Sequence, residues 1–164
     1  MACLLRSVRQ ERWYEATSSP DDPLPADPLS DLNTKKNCLS VWQVSSDESN
    51  LEEIVVAIAA GFGHVQNMDA VLIDERAIGE LGLRVEASPG KTPLPRATGY
   101  HRDLVQLQAG SLVQVGDTLR RGDFRSFSER TVRELLARYI REGRLSPADL
   151  HPDVKSHLQR RNLI

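Results

Sequence analysis

Residues 54–60 read IVVAIAA, seven apolar side chains in a row. Ser49 and Glu52 stand in capping-box spacing before the run, its first turn is acidic, and Gly61 and Gly63 follow it. Together these features predict a helix over about 50–61. Its second half has no face to offer water, so the rest of the chain must cover it on every side. That requirement argues for layers, with a sheet against the helix. Extended to Phe62 the stretch is still only about half of what a membrane-spanning helix needs.

The neighbouring segments supply the sheet. CLSVWQV (38–44) alternates, with Leu39, Val41 and Gln43 on one side and Ser40, Trp42 and Val44 on the other. DAVLIDE (69–75) is a short apolar run between charged flanks, which predicts a buried strand. ERAIGELG reads as a short helix ending at Gly82, LRVEA (83–87) as a further strand, and CLLRSV (3–8) as an opening strand. This rhythm predicts an α/β or α+β chain, one compact domain over residues 1–164 with a small mixed sheet and packed helices. A length of 164 residues suits a single core.

The C-terminal third is predicted to be helical. SLVQVGDTLRRG carries a helical pattern weakened by Gly116. FSERTVRELLARYIREG has Ser128 as its cap, one apolar face made by Val132, Leu135, Leu136, Tyr139 and Ile140, and Gly143 as its stop. Residues 145–164 form a tail with a capped turn at Ser146–Pro147 and a short helix after Pro152. Residues 15–37 contrast with all of this. Four prolines and four aspartates fall within 15–33, which predicts a loop with one helical turn after Asp27–Pro28. So long a loop wraps its own domain or contacts something else.

Charge divides along the chain. The first hundred residues carry 9 Lys+Arg against 15 Asp+Glu, and the last 64 carry 12 against 8. The net charge of −2 argues against a dedicated nucleic-acid binder on global electrostatics. Arginine outnumbers lysine 17 to 4, as base-composition bias produces. Cys3 and Cys38 make neither a CxxC pair nor a disulfide framework, and the apolar run near the start is too short for a signal peptide. These features predict a cytoplasmic protein of bacterial type.

Motifs exclude more than they select. YHRDL (100–104) and GDF (122–124) resemble fragments of a kinase catalytic loop. However, position 108 is Gln where a magnesium-binding Asn is needed, Arg125 stands where Gly is needed, and neither a glycine-rich phosphate loop nor a strand lysine precedes them. There is no GxSxG elbow, Walker loop or dinucleotide fingerprint, and the four histidines have no metal-ligand spacing, so no cofactor or metal is expected. Three residues remain as catalytic candidates. His101 and Asp103 would share one face of a strand, as a general base with its orienter, and Asp74 sits at the end of a buried strand where sheets place functional groups.

Partner-binding candidates are more numerous. Trp13 and Tyr14 either staple the N-terminal segment or anchor a partner. Residues 120–144 hold eight arginines against four acids, among them Arg120, Arg121, Arg125, Arg130 and Arg133. The expected function is a non-catalytic interaction or accessory subunit, of antitoxin, immunity or complex-subunit kind, using the acidic N-terminal loop and the arginine-rich helix. The alternatives are a small enzyme acting on a nucleotide or other phosphate-bearing molecule near Asp74, His101 and Asp103, and a nucleic-acid-binding regulator using residues 120–144.

Overall fold

Leu4 and Leu5 are adjacent and both fully buried. Neighbours on a strand point to opposite faces, so the sheet that holds them is covered on both sides. The computed structural model describes residues 3–164. In chain order it has β1 (Cys3–Val8), α1 (Gln10–Ser18), α2 (Ala26–Leu29), β2 (Leu39–Val44), α3 (Leu51–Ala59), β3 (Met68–Asp74), α4 (Glu75–Glu80) and β4 (Arg84–Ala87). A 3₁₀ turn, β5 (His101–Val105), α5 (Ala109–Leu119), β6 (Asp123–Phe127), α6 (Glu129–Arg141), a second 3₁₀ turn and α7 (Pro152–Arg160) complete it.

The six strands lie in the order β4-β5-β2-β1-β3-β6, and all five neighbouring pairs are antiparallel. The chain is therefore α+β, one compact domain. A mixed sheet was the expectation, and the reason for the difference is specific. β2, α3 and β3 do form a crossover between strands that run the same way, but β1 is inserted between the two strands and opposes both. Strands that are consecutive in sequence are therefore not all neighbours in the sheet.

Two layers of helix cover the sheet. On one face Leu5, Val44, Met68, Ala70 and Leu72 meet Ile54 and Val55 of α3, Val132 and Leu136 of α6, and Val154 and Leu158 of α7. On the other, Leu4, Leu39, Val41, Val71 and Ile73 meet Trp13 of α1, Ile78 of α4 and Val115 and Leu119 of α5. As its composition demands, α3 is buried nearly all round. It does not use Ser49 and Glu52 as a capping box. Asn50 takes the cap position, and its side chain accepts from the Ser45 main-chain N–H at 2.8 Å and donates to the Gln43 carbonyl at 3.1 Å, tying the helix start to the end of β2.

Two segments depart from the sequence reading. RRGDFRSF, where no strand is expected, contains the edge strand β6. Residues 10–18, where no helix is expected and whose last four fall in the expected loop, form α1. Gly116 weakens α5 only in isolation. A Cβ there would collide with Leu24, so the missing side chain lets the proline-rich segment lie directly on the helix.

Candidate functional site

The acidic segment closes on itself through one residue. Asp31 is 6% exposed. Its Oδ2 accepts from the Arg9 main-chain N–H at 2.8 Å and from Trp13 Nε1 at 3.0 Å, and its Oδ1 accepts from Arg12 at 3.3 Å. Carboxylate, indole and guanidinium thus satisfy one another in a place that excludes water. Trp13 is fully buried by this arrangement and belongs to the core, which corrects its reading as a surface contact. Tyr14, one position on, points outward and is 76% exposed.

Beside this hub the sheet opens. β1 pairs with β2 only as far as Leu5–Trp42, whereas it stays on β3 to Val8–Asp69. Past Leu5 the Arg6 guanidinium takes over from the ladder. Nη1 donates to the Ser40 carbonyl and Nη2 to the Asp31 carbonyl, each at 2.7 Å, and Nε is buried without a partner. Burial holds this guanidinium below the usual arginine range, against the opposing pull of Asp31. The charge rests on two neutral carbonyls, while the Asp31 carboxylate is engaged by Arg9, Arg12 and Trp13.

An open groove of about 1510 Å³ runs over this end of the sheet. Trp42, Ile58, Phe62 and Phe127 supply its apolar surface, and Tyr14, Lys35 and Lys91 stand on its walls. The Trp42 ring meets His101 edge-on, with centroids 5.1 Å apart at 87°. Gly90 lies over this pair so closely that a Cβ would sit 2.9 Å from His101 Cβ. Thr92 Oγ1 donates to the Ala57 carbonyl at 2.8 Å and moors the same loop to α3.

The expected catalytic residues fall in two places. His101 and Asp103 stand opposite Trp42 and Ser40 on one face of the sheet. His101 Nδ1 is hydrogen-bonded to Ser88 Oγ at 2.8 Å, and Asp103 accepts from Ser40 Oγ at 3.3 Å, so each engages a different serine. His101 lines the groove. Asp74 does not join them, which corrects the expectation of one shared site. β2 and β1 lie between it and β5, a separation of about 14 Å at ~4.8 Å per strand. It caps α4 by accepting the Arg76 main-chain N–H at 2.9 Å, and this bond holds its carboxyl below the usual range.

The arginines of 120–144 are engaged by their own chain. Arg120 is buried, pairs with Asp117 at 2.7 Å and donates to the Asp22 carbonyl, so it is an interior strut and not a surface contact. Arg121 donates to the Pro20 carbonyl at 3.1 Å. Arg125 bridges Asp123 and Glu48 at 2.6 and 3.1 Å. Arg130 pairs with Glu134 and Arg133 with Glu129, one turn apart. Arg138 reaches Glu52, and Arg144 pairs with Glu53 while its guanidinium lies 3.9 Å over the Tyr139 ring. Among the described residues Lys35 and Lys91, both exposed, make no ion pair.

Asp31 is the residue that sequence reasoning missed, and Arg6 is one whose place among core residues it did not anticipate. For Arg6 a signal existed, because alternation along CLLRSV places it on the face of Leu4 and Val8, a charge among core residues. Asp31 gave none among so many aspartates. Among the described residues no three His, Cys, Asp or Glu side chains gather as a metal site. Comparison with family models, curated proteins and solved structures finds no match to this chain.

Proposed function

We propose that this chain is a non-catalytic interaction protein, an accessory subunit that holds a protein partner's extended segment in the groove where β1 and β2 part. The size of that groove carries the reading. Small-molecule sites usually fall within about 300–1,000 Å³, and this one is about 1510 Å³ and open along its length. A lining that mixes apolar and polar side chains suits a segment whose own side chains alternate in character. Tyr14 supports the same reading, as an aromatic held out at the wall by a helix whose other face is locked to Asp31.

Site-specific photo-crosslinking tests it. A benzophenone amino acid at position 14, in the native host, is expected to give one protein adduct that excess unlabelled chain removes. The same group at Val113, exposed on α5, is the control. The purified partner should then bind the full-length chain at a fixed ratio in calorimetry. Adducts of equal pattern from both positions would end the proposal.

One observation favours the enzyme reading in second place. Ser88 Oγ lies 2.8 Å from the ring nitrogen of His101, and His101 and Lys91 both line the groove. Partner binding that survives Ser88→Ala and His101→Gln separates the two readings, since only an enzyme depends on that pair.

A further inference from the structure

The Arg6 side chain poses a question that the fold leaves open. A guanidinium withdrawn from water loses hydration that neutral acceptors replace only in part. Here it keeps two main-chain carbonyls, one unpartnered Nε–H and no carboxylate of its own. The obvious counter-charge, Asp31, already serves Arg9, Arg12 and Trp13. Position 6 belongs to the apolar face of β1, where Leu4 and Val8 are buried, so the charge stands where packing alone calls for a hydrophobe.

Charge on the groove walls points the same way. Lys35 and Lys91 are exposed and unpaired among the described residues. Of the acids on the groove, Asp31 is occupied, and Asp69 accepts from Ser126 Oγ at 2.7 Å and from the Gln10 main-chain N–H at 3.3 Å. Those donors are neutral, so Asp69 keeps its charge; with Asp31 set against Arg9, Glu11 and Asp69 stand against Arg6, Lys35 and Lys91, an excess of one positive charge.

We infer that the segment held in the groove is acidic, and that one of its Asp or Glu carboxylates meets the Arg6 guanidinium between the parted ends of β1 and β2. The inference rests on the groove reading and names the chemistry of its occupant. A planar guanidinium suits a carboxylate because two parallel N–H···O bonds fix orientation as well as charge. Lys35 and Lys91, which line the same groove, then steer an acidic chain towards that anchor.

The test uses the ¹⁵N-labelled full chain, titrated with hexaglutamate, with hexalysine as control and a hexathymidylate oligonucleotide as a second anion. Hexaglutamate is expected to shift the Arg6, Ser7 and Ser40 amides and the Arg6 Nε–H saturably, and hexalysine to leave them in place. Lys35→Glu combined with Lys91→Glu should weaken binding at least about tenfold without moving the unfolding midpoint, because both sites are exposed. Arg6→Lys keeps the charge and loses the two-pronged geometry, so it should weaken binding as well. Absence of saturable shifts, shifts confined to α6, indifference to the double charge reversal, or tighter binding of the oligonucleotide at the same amides each overturns the inference. A partner crosslinked through position 14 that ignores the charge reversals overturns the acidic assignment and leaves the groove reading intact. Loss of the crosslink beside a positive hexaglutamate titration removes the groove reading and keeps the anion site.

Discussion

The indole of Trp13 donates its Nε1–H to Asp31 Oδ2 across 3.0 Å, and both residues are buried. This one bond joins α1 to the proline-rich segment eighteen residues later and packs both against the sheet. It also fixes which side of α1 faces inward, and therefore that Tyr14 faces out.

Asp31→Ala should destabilise the chain by about 1–3 kcal/mol, because it leaves the buried Trp13 Nε1–H and the Arg9 amide without their common acceptor while the Arg9 and Arg12 guanidiniums keep access to water. Asp31→Asn retains one acceptor oxygen and should cost less. Urea unfolding followed by Trp13 fluorescence in a Trp42→Phe background measures both. Equal stability of wild type and Asp31→Ala would refute the hub.

Gly116→Ala reverses a familiar sign. In an open helix the change stabilises by about 1 kcal/mol. Here the new methyl meets Leu24, and overpacking costs typically about 1–3 kcal/mol. Net destabilisation is expected in the wild-type background, and neutrality or a gain once Leu24→Ala makes room. Denaturant midpoints of the four proteins in this cycle decide it.

Alkaline stability should depend on Tyr139. Burial, followed by the nearby Glu52, raises its hydroxyl from 10 to about 12. A raised value in the folded state means the unfolded chain loses its proton first. The stabilising contribution is therefore complete below pH 10 and falls as pH rises towards about 12. Tyr100, raised by burial and by Glu53, adds to the same window. Unfolding midpoints taken across that range should fall less steeply in Tyr139→Phe than in wild type.

Charge reversal on α6 provides a contrast with the groove. Arg130→Glu with Arg133→Glu breaks one exposed and one half-buried pair within one helix, and pairs of this kind one turn apart contribute little to stability. Partner affinity is expected to stay within about twofold, while Lys35→Glu with Lys91→Glu weakens it. The opposite ranking in calorimetry would return the arginine-rich helix to the centre of the function.

Much of the element structure was legible. α6 shows the reason: Ser128 accepts from the Thr131 N–H, Val132 and Leu136 face the core, and Gly143 takes a positive φ of 69°. All of these are local properties, set by helix period, cap chemistry and the freedom of glycine. β6 was missed because DFRSF lies at an edge with only partial burial, where the preceding Arg120, Arg121 and Gly122 resemble a turn. α1 was missed because its apolar content is one tryptophan and one alanine.

The candidate site was less legible. His101 and Asp103 share a face through a period of two that any reader can count, but Ser88, Ser40 and the distance to Asp74 depend on which strands are neighbours. Local acids engage Arg120, Arg130 and Arg133, but the partners Glu48, Glu52 and Glu53 of Arg125, Arg138 and Arg144 come from a different part of the chain and could not be counted from the segment alone.

By itself the sequence determined that the apolar run 54–60 must be buried, that a sheet must lie beside it, and that a charge stands at position 6 on an apolar strand face. Periodicity carries that information because it depends only on near neighbours along the backbone. Tertiary structure alone decided that β1 separates β2 from β3, that Asp31 among many aspartates is the buried one, and that the strands part where Arg6 enters. Strand order and ion pairing join residues tens of positions apart, and their energies are realised only when the whole core closes around them.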